Sequence, residues 1–275
     1  MKQFLLSILL SLFSLISLMA QNEQEATLYK DLQNAVGEVK GLSTSEIVVK
    51  VALQRIGTPY VSGTLEKEPE QLIINLHETD CILFAESCLA FAIAQKSSCN
   101  DFKTFSTIIQ SLRYRDGVVE GYSSRVHYTS EWISQGIANG YFKEISKEIG
   151  VQCKQPIKYM STHVNSYKQL VNNPSEIKKI ADTEKRLNKR KYYYIPKNRI
   201  PESLASLKSG DILCFNSAEA GMDISHVGII YINNNKVGFI HASFKAKKVV
   251  IESKSLLEYV NSSKNINGIR IVRPL

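Results

Sequence analysis

Residues 79–94 read TDCILFAESCLAFAIA, an apolar stretch that follows two residues suited to begin a helix. Thr79 and Asp80 are residue types that accept hydrogen bonds from the free N–H groups of a first helical turn. The residues after Cys81 are apolar on nearly every side, which is typical of a helix buried all round. The sequence therefore predicts a central buried helix that begins near Cys81.

Strand-like sequence follows Ser209-Gly210, as short runs of β-branched and aromatic residues separated by turn residues. The runs are Asp211–Phe215, His226–Ile232, Val237–His241, Val249–Glu252 and Ile269–Val272. Helical spacing marks the earlier part of the chain, at 24–56, Phe102–Leu112, from Ser130 onwards and at Ser175–Lys189. Helices first and short strands last predict an α+β fold, with the buried helix packed on an antiparallel sheet.

Residues 21–275 are expected to form one domain that contains a polar segment. Lysine, asparagine and glutamate dominate from Lys147 to Arg199, with prolines between them. We interpret about 100–205 as a mostly helical insertion or flap of this domain rather than as an independent domain.

Residues 1–20 have the pattern of a secretory signal peptide. Lys2 precedes an apolar run, Phe4 to Met19, which ends at the small residue Ala20 before a polar stretch. A membrane anchor is the alternative, but a bilayer span needs about 20 apolar residues, and this run is shorter. We therefore predict cleavage near Ala20 and an exported protein, periplasmic or extracellular, with no stable membrane span after cleavage.

The composition is that of an ordinary globular protein, with 44% hydrophobic and 22% charged residues. A formal net charge of +8 would draw an exported protein to anionic envelope polymers, whereas export argues against a nucleic-acid partner. Because the cysteines number five, at least one thiol is unpaired, and any pairing of the others stays open. His77 lies near Cys81, but neither H-E-x-x-H nor C-x-x-C is present, so we expect no metal and no cofactor.

Cys81 is a candidate nucleophile because of its place in the first turn of the predicted helix. Free N–H groups and the positive end of the helix dipole at that position favour a thiolate. The N–H of Cys81 itself is a natural donor to an oxyanion. An inert cysteine in an apolar helix is the alternative on this segment alone.

Two histidines are candidate partners of Cys81. His226 begins one predicted strand, and His241 ends the next, beyond a loop of asparagines. If the hairpin closes on Asn233-Asn234, His226 lies directly opposite His241, and any loop of even length keeps both rings on one face. One imidazole then orients the other, as the orienting member of a catalytic triad does for the base. Two structural histidines in a sheet are the alternative.

A set of motifs in a fixed order supports the catalytic interpretation. They are Gly57-Thr58-Pro59-Tyr60, Thr79-Asp80-Cys81, Gly210-Asp211-Ile212, Ser225-His226-Val227-Gly228-Ile229 and Ile240-His241-Ala242-Ser243. Together they resemble the NlpC-type papain-like cell-wall cysteine hydrolases. The resemblance implies a papain-like fold with Cys81 as nucleophile, His226 as general base and acid, and His241 as the orienting residue. Tyr60 resembles the family tyrosine that helps to line the oxyanion side.

The chain also departs from the common pattern of these hydrolases. Ile82-Leu83 replaces the usual small residues, and a long segment separates the helix from the first strand. These features resemble a branch described as N-acetylmuramoyl-L-alanine amidases.

Candidate substrate-binding residues come from that long segment, namely Arg125, His127 and Tyr128. Arg125 could hold a substrate carboxylate or lactyl oxygen, and Tyr128 or Trp132 could stack on a sugar. The alternatives are an ordinary surface ion pair for Arg125 and core packing for Trp132.

The resemblance implies a secreted enzyme that acts on peptidoglycan or muropeptide fragments, at the bond between muramic acid and L-alanine. An endopeptidase that cuts the γ-D-glutamyl–diamino-acid bond would use the same catalytic residues and stays open. A wall-binding module without turnover is the alternative from another class.

Overall fold

The computed structural model describes residues 22–275, so the predicted signal peptide lies outside the described residues. The helices are α1 (22–36), α2 (Thr44–Gln54), α3 (Cys81–Lys96), α4 (Phe102–Arg113), α5 (Thr129–Ala138), α6 (Ser146–Ile149), α7 (Tyr159–Thr162), α8 (Pro174–Leu187), α9 (Ile200–Ser203) and α10 (Leu256–Ser262). The strands are β1 (Phe142–Glu144), β2 (Val151–Cys153), β3 (Tyr192–Pro196), β4 (Ile212–Ser217), β5 (Ile224–Asn233), β6 (Lys236–Ser243), β7 (Lys248–Ile251) and β8 (Ile266–Pro274). Within 22–275 no helix has the length and apolar character that crossing a bilayer requires.

Helix α3 begins at Cys81, as predicted, because Asp80 caps it. The Asp80 carboxylate accepts a hydrogen bond from the Leu83 N–H, which would otherwise lack a partner. Helices α2 and α4 and strands β5 and β6 all pack against α3. Its apolar composition on nearly every side is thus explained by burial among these elements.

The strands form a single antiparallel sheet. Their order is β2-β3-β8-β4-β5-β6-β7, and β1 also pairs with β8. All of these pairings are antiparallel. The runs predicted as strands correspond to β4 to β8, so the prediction of helices followed by an antiparallel sheet is confirmed. The last strand of the chain, β8, lies inside the sheet between β3 and β4.

The turn between β5 and β6 differs by one residue from the prediction. The ladder ends at Asn233, so the two-residue turn is Asn234-Asn235, with φ of 47° and 61°, as a type I′ turn requires. The predicted turn is therefore wrong, and His226 lies diagonally to His241 rather than directly opposite it. Moving the turn by one residue changes which residues pair but keeps the alternation of faces, so both histidines still share a face.

Both faces of the sheet are covered by apolar side chains. Ile212 and Cys214 of β4 belong to a core shared with α2, α3 and α4. Leu213 and Phe215 belong to a second core, to which α9 and α10 contribute. A strand buried on both faces explains why β4 is apolar without alternation.

The segment predicted as an insertion, about 100–205, contributes to the main body of the fold. Helix α4 packs on α3, and β1 and β3 each pair with β8. A smaller core of Tyr122, Tyr128, Met160 and Ile180 joins α7 and α8. The strands of this segment were not predicted, because β1 and β2 have 3 residues each and show no alternation.

Gly210 provides a test of the turn that leads into β4. Its φ is +88°, and a Cβ at this position would lie 2.1 Å from the Ser45 carbonyl oxygen. We expect Gly210→Ala to lower the free energy of unfolding by more than the ~1–3 kcal/mol that an unfavourable φ alone costs, as measured by urea unfolding. Gly41→Ala is the matched control, because φ is +81° there but nothing lies within 4 Å of the added Cβ. Equal losses in the two variants would contradict this account.

Candidate active site

Cys81 is half-buried at the start of α3. Its sulfur faces the backbone N–H groups of Cys81, Ile82 and Val227. Val227 directly follows His226, and the ladder between β5 and β6 includes β5 only from Ile229 onwards. The start of α3 and the start of β5 therefore meet at the Cys81 thiol.

His226, which directly precedes Val227, forms a hydrogen-bonded pair with His241. Nε2 of His226 lies 2.7 Å from Nδ1 of His241, and the two rings are nearly perpendicular, at 82°. His226 also stacks on Phe215 of the neighbouring strand, and His241 is only 2% exposed. The shared face predicted from the alternation of the two strands is confirmed.

Glu252 lies next to the histidine pair and was not predicted as a site residue from the sequence. Its Oε2 lies 3.4 Å from Nε2 of His241, and its Oε1 accepts the N–H of Lys254. In the register of β6 with β7, Val250 lies opposite His241. Because side chains alternate along a strand, Glu252 returns to the face of His241, and this alternation is the signal that could have found it.

The contacts from Glu252 to His241 and from His241 to His226 indicate which ring nitrogens carry a proton. Nε2 of His241 lies 3.4 Å from the Glu252 carboxylate, outside hydrogen-bond geometry; the carboxylate favours the tautomer with the proton on Nε2, which leaves Nδ1 of His241 as an acceptor. Nε2 of His226 then donates to it, and Nδ1 of His226 keeps a free lone pair. The arrangement therefore supplies an oriented base.

Burial sets the charge of the site. It lowers the pKa of His226 to about 3 and that of His241 to about 4, although Glu252 partly offsets the shift at His241. Burial, and then the Asp80 carboxylate, raise the pKa of the Cys81 thiol to about 12. The shift of the thiol pKa runs opposite to the expected stabilisation of a thiolate at the helix start, because loss of solvent outweighs the backbone N–H groups. The shifts favour the neutral thiol and the neutral imidazoles.

Tyr60 lies on the same side of the site as Cys81. Its backbone forms a bridge with Thr79, and its N–H donates to the Lys247 carbonyl. Burial, followed by the nearby Cys81 and Asp80, raises the pKa of the Tyr60 phenol to about 12. Its place beside the start of α3 agrees with the position predicted for it.

Arg125 and His127 line a cavity of about 100 Å³ that Ile82 and Leu83 also line. Arg125 is buried, with Nη2 3.1 Å from Glu66 and Nε 3.5 Å from Glu70. The alternative for Arg125 was an ion pair at the surface, whereas this pairing is buried; it leaves the guanidinium charge already matched. His127 is bonded through Nε2 to the Tyr122 carbonyl, and burial lowers its pKa to about 3.

Tyr128 and Trp132 line the same cavity but are too deeply buried to stack on a sugar ring. The Tyr128 hydroxyl donates to Glu184 and accepts the Met160 N–H. Trp132 is 2% exposed and stacks on Phe142 at 4.9 Å between ring centroids. The stacking hypothesis is wrong for both residues, and core packing was the better account of Trp132.

The two remaining histidines of the chain, His77 and His163, each contact a different residue. His77 pairs with the buried Glu25 at 2.8 Å, and His163 stacks on Tyr159 at an exposed position. Among residues 22–275, no group of acidic, histidine and cysteine side chains is arranged to hold a metal ion. A larger groove of about 590 Å³ is lined by Arg115, Glu131 and Arg186 of other elements, and no predicted site residue lines it.

Comparison with known families identifies the type of protein. Residues 50–269 match a family described as AmiA-like, N-acetylmuramoyl-L-alanine amidase-like, and this range includes Cys81, His226, His241 and Glu252. The chain belongs to this family. No curated protein sequence matches the chain significantly.

Solved structures resemble this amidase-like chain over most of its length. An N-acetylmuramoyl-L-alanine amidase from Bacteroides uniformis ATCC 8492 is 33% identical with a TM-score of 0.80, covering 84% of this chain and 98% of that chain. A Bacteroides fragilis protein described as a xylanase is 36% identical with a TM-score of 0.77, covering 81% and 98%. A Legionella pneumophila protein, 21% identical with a TM-score of 0.63 over 95% and 96%, shares the fold. The amidase-like chain is thus a member of a cell-wall hydrolase family.

The neutral histidine pair can be tested by titration. We expect His226 and His241 to stay uncharged as the pH falls from about 7 to 5, because their pKa values, about 3 and about 4, lie below that range. A solvated imidazole would gain its proton near pH ~6.5. Nitrogen NMR shifts of the imidazoles, assigned with His226→Gln and His241→Gln, measure this directly.

The same shifts predict the direction of the pH dependence of stability. In the unfolded chain these histidines bind protons below about pH 6.5, whereas the folded protein does not until about pH 4. The free energy of unfolding should therefore fall as the pH drops through this window. Protonation of His226 near pH ~6.5 in the folded protein would contradict both statements.

Proposed function

We propose that this protein is a cysteine amidase of the NlpC-type, papain-like class, which cuts the amide bond between N-acetylmuramic acid and L-alanine in peptidoglycan fragments. The observation that carries the proposal is the meeting of the Cys81 thiol with the strand that bears His226, which His241 and Glu252 orient. The family description and the similar Bacteroides uniformis amidase support the choice of substrate.

The first half of the reaction forms a thioester. Nδ1 of His226 takes the thiol proton as the Cys81 sulfur attacks the lactyl carbonyl carbon, and the electron pair of the carbonyl moves to its oxygen. The backbone N–H of Cys81 at the helix start donates to that oxyanion, with Tyr60 on the same side. The C–N bond then breaks, and the His226 imidazolium gives its proton to the alanine nitrogen.

The second half releases the muramic acid. A water molecule gives a proton to His226 as its oxygen attacks the thioester carbon, and the C–S bond breaks. The proton returns to the sulfur, which restores the neutral pair. In both halves His226 is charged only transiently. The contact between His241 and Glu252 stabilises the His226 imidazolium during that time.

Export is part of the proposal and rests on the sequence alone. The pattern of Lys2, an apolar run and Ala20 is typical of a signal peptide. An exported protein, periplasmic or extracellular, would meet peptidoglycan fragments where they are released.

Two other activities have weaker support. A γ-D-glutamyl endopeptidase would use the same thiol and imidazoles on a neighbouring bond, so product identity must separate it from the amidase. Glycoside hydrolysis, suggested by the description of the Bacteroides fragilis protein, is usually carried out by a pair of carboxylic acids. At the candidate site the facing groups are a thiol and two imidazoles.

Cys81→Ala tests the nucleophile. We expect it to abolish release of N-acetylmuramic acid from muropeptides, since no other group at the site can form the acyl intermediate. Mass spectrometry of the digest identifies the bond: free muramyl sugar plus intact peptide supports the amidase, and release of L-Ala-D-Glu or of a glycan that bears it supports the endopeptidase.

Cys88→Ala is the matched control for that experiment. Cys88 is a buried thiol of the same helix, about two turns further on, and its loss should leave cleavage intact. Undiminished cleavage by Cys81→Ala would overturn the nucleophile assignment. No cleavage of any muropeptide by the unmodified protein would favour a wall-binding module.

Glu252→Ala tests whether the contact between Glu252 and His241 orients His226. The 3.4 Å contact between His241 and Glu252 would tighten to a charge-assisted hydrogen bond when the histidine pair gains a proton, and such a bond contributes about 1.5–3 kcal/mol, so we expect kcat/KM to fall by about tenfold to a hundredfold. The fall should appear in kcat, because the contact strengthens only when His226 is protonated. Glu258→Gln, which removes an exposed carboxylate of α10, is the control, and an equal loss in that variant would contradict the role of Glu252.

A further inference from the structure

We infer that the groove between α5 and the end of α8 binds a segment of anionic polysaccharide. The groove has a volume of about 590 Å³, within the ~300–1,000 Å³ of sites that hold small molecules. Arg115 and Arg186 line it together with Arg190, which follows the end of α8. The inference adds a binding site to the proposed amidase site and does not depend on that site.

The groove is separate from the cavity beside the start of α3. Trp132 of α5 lines the cavity, whereas Glu131, Ser134 and Gln135 of the same helix line the groove. Within residues 22–275 no side chain lines both. A ligand in the groove therefore makes its contacts with residues other than those around Cys81.

One carboxylate holds two of the three guanidinium groups in place. Glu131 is only 6% exposed, and its Oε1 accepts Nε of Arg115 and Nη2 of Arg186, each at 2.8 Å. Its Oε2 accepts Nη2 of Arg115 at 3.0 Å, and Nη1 of Arg115 donates to the Ser123 carbonyl. These bonds fix both guanidinium groups before a ligand arrives, which lowers the cost of ordering them on binding.

The arginines of the groove outnumber its carboxylates. Asp116 and Glu131 are the acidic residues of the lining, against three arginines, so a positive charge is left over. Arg190 is exposed, and within residues 22–275 no carboxylate pairs with it. Because a guanidinium has five N–H donors, Arg186 and Arg190 keep donors for the oxygens of a carboxylate or phosphate.

The remainder of the lining suits a hydroxylated ligand. Its side chains include Ser134, Gln135 and Asn139, and Ala138 is the one apolar side chain among the described residues that line it. The amide N–H groups of Gln135 and Asn139 donate to the Ser111 carbonyl in α4, so the Asn139 amide oxygen is left to accept a hydroxyl. A nucleobase would find no aromatic ring to stack on, and an apolar peptide side chain would find no apolar wall.

A second groove, of about 420 Å³, continues the first, because Arg115 and Asp116 line both. Lys179 and the hydroxyl residues Ser124 and Thr183 contribute to its lining. Each groove alone is large enough for a small molecule, so the two together fit consecutive units of a chain. This continuity favours a polymer over a single sugar.

Isothermal titration with hexamers of different charge tests the class of ligand. We expect hexagalacturonate, which carries carboxylates, or phosphorylated maltohexaose to bind at least about tenfold more tightly than neutral maltohexaose. Whichever binds more tightly identifies the source of the charge. Equal binding of neutral maltohexaose would overturn the inference, and tighter binding of hexaglutamate would replace the polysaccharide by an acidic peptide. Inorganic phosphate that binds as tightly as the saccharides would show an adventitious ion only and overturn it too.

Arg186→Gln/Arg190→Gln tests the location. We expect the Kd of the tighter saccharide to rise by about tenfold or more, because the donors of the groove wall are lost. Lys178→Gln/Lys185→Gln is the matched control, since it removes two charges of the same helix that are 79% and 75% exposed and pair with Asp182. Equal weakening in both variants would indicate general attraction to a basic surface and overturn the groove.

Arg190→Gln alone guards against misfolding, because it breaks no ion pair among the described residues and should still weaken binding severalfold. An unchanged Kd in this variant and in the double variant would overturn the site. All titrations use Cys81→Ala protein, which needs no turnover. Binding without any amidase activity of the unmodified protein would leave the inference standing, and an active amidase that binds none of the saccharides would overturn the inference alone.

Discussion

The contact of 2.7 Å between His226 and His241 is the interaction on which the candidate site depends. It requires two neighbouring strands to present diagonal residues on one face, which the type I′ turn at Asn234-Asn235 provides. Gly228 eases the close approach of the two strands, because a Cβ there would lie 3.1 Å from the Ile240 carbonyl oxygen and 3.1 Å from the Phe239 ring. Glu252 completes the line from the next strand, so three consecutive strands of the sheet hold one base in place.

Burial favours the uncharged forms of the Cys81 thiol and of the His226 and His241 imidazoles. His241 is almost fully enclosed, and separating a thiolate from an imidazolium at rest would cost more than the backbone N–H groups return. In the proposed mechanism a neutral pair avoids that cost until a substrate carbonyl is attacked, when charge moves onto an oxygen that faces backbone donors. The proposed acyl transfer at Cys81 therefore does not require the folded protein to hold a buried charge at rest.

The segment between α3 and β4 packs beside α3 and lines a cavity with it. Helix α5 contributes Trp132 to the cavity, while β1 and β3 anchor the segment to β8. Its buried ion pairs, Arg113 with Glu86 and Arg125 with two glutamates, match charge inside the segment. Such pairs add little net stability, and here they leave the cavity polar but without a free cation.

The sequence by itself determined the helix that begins at Cys81, the strands after Gly210 and the shared face of the two histidines. These features depend on local periodicity and on alternation, which a shift of the turn by one residue does not change. Only the tertiary structure decided the true register, the position of Glu252 beside His241, the buried pairing of Arg125 and the direction in which the pKa of the Cys81 thiol shifts. Each of these depends on burial and on partners distant in the chain, and desolvation has no signature in a local pattern of residues.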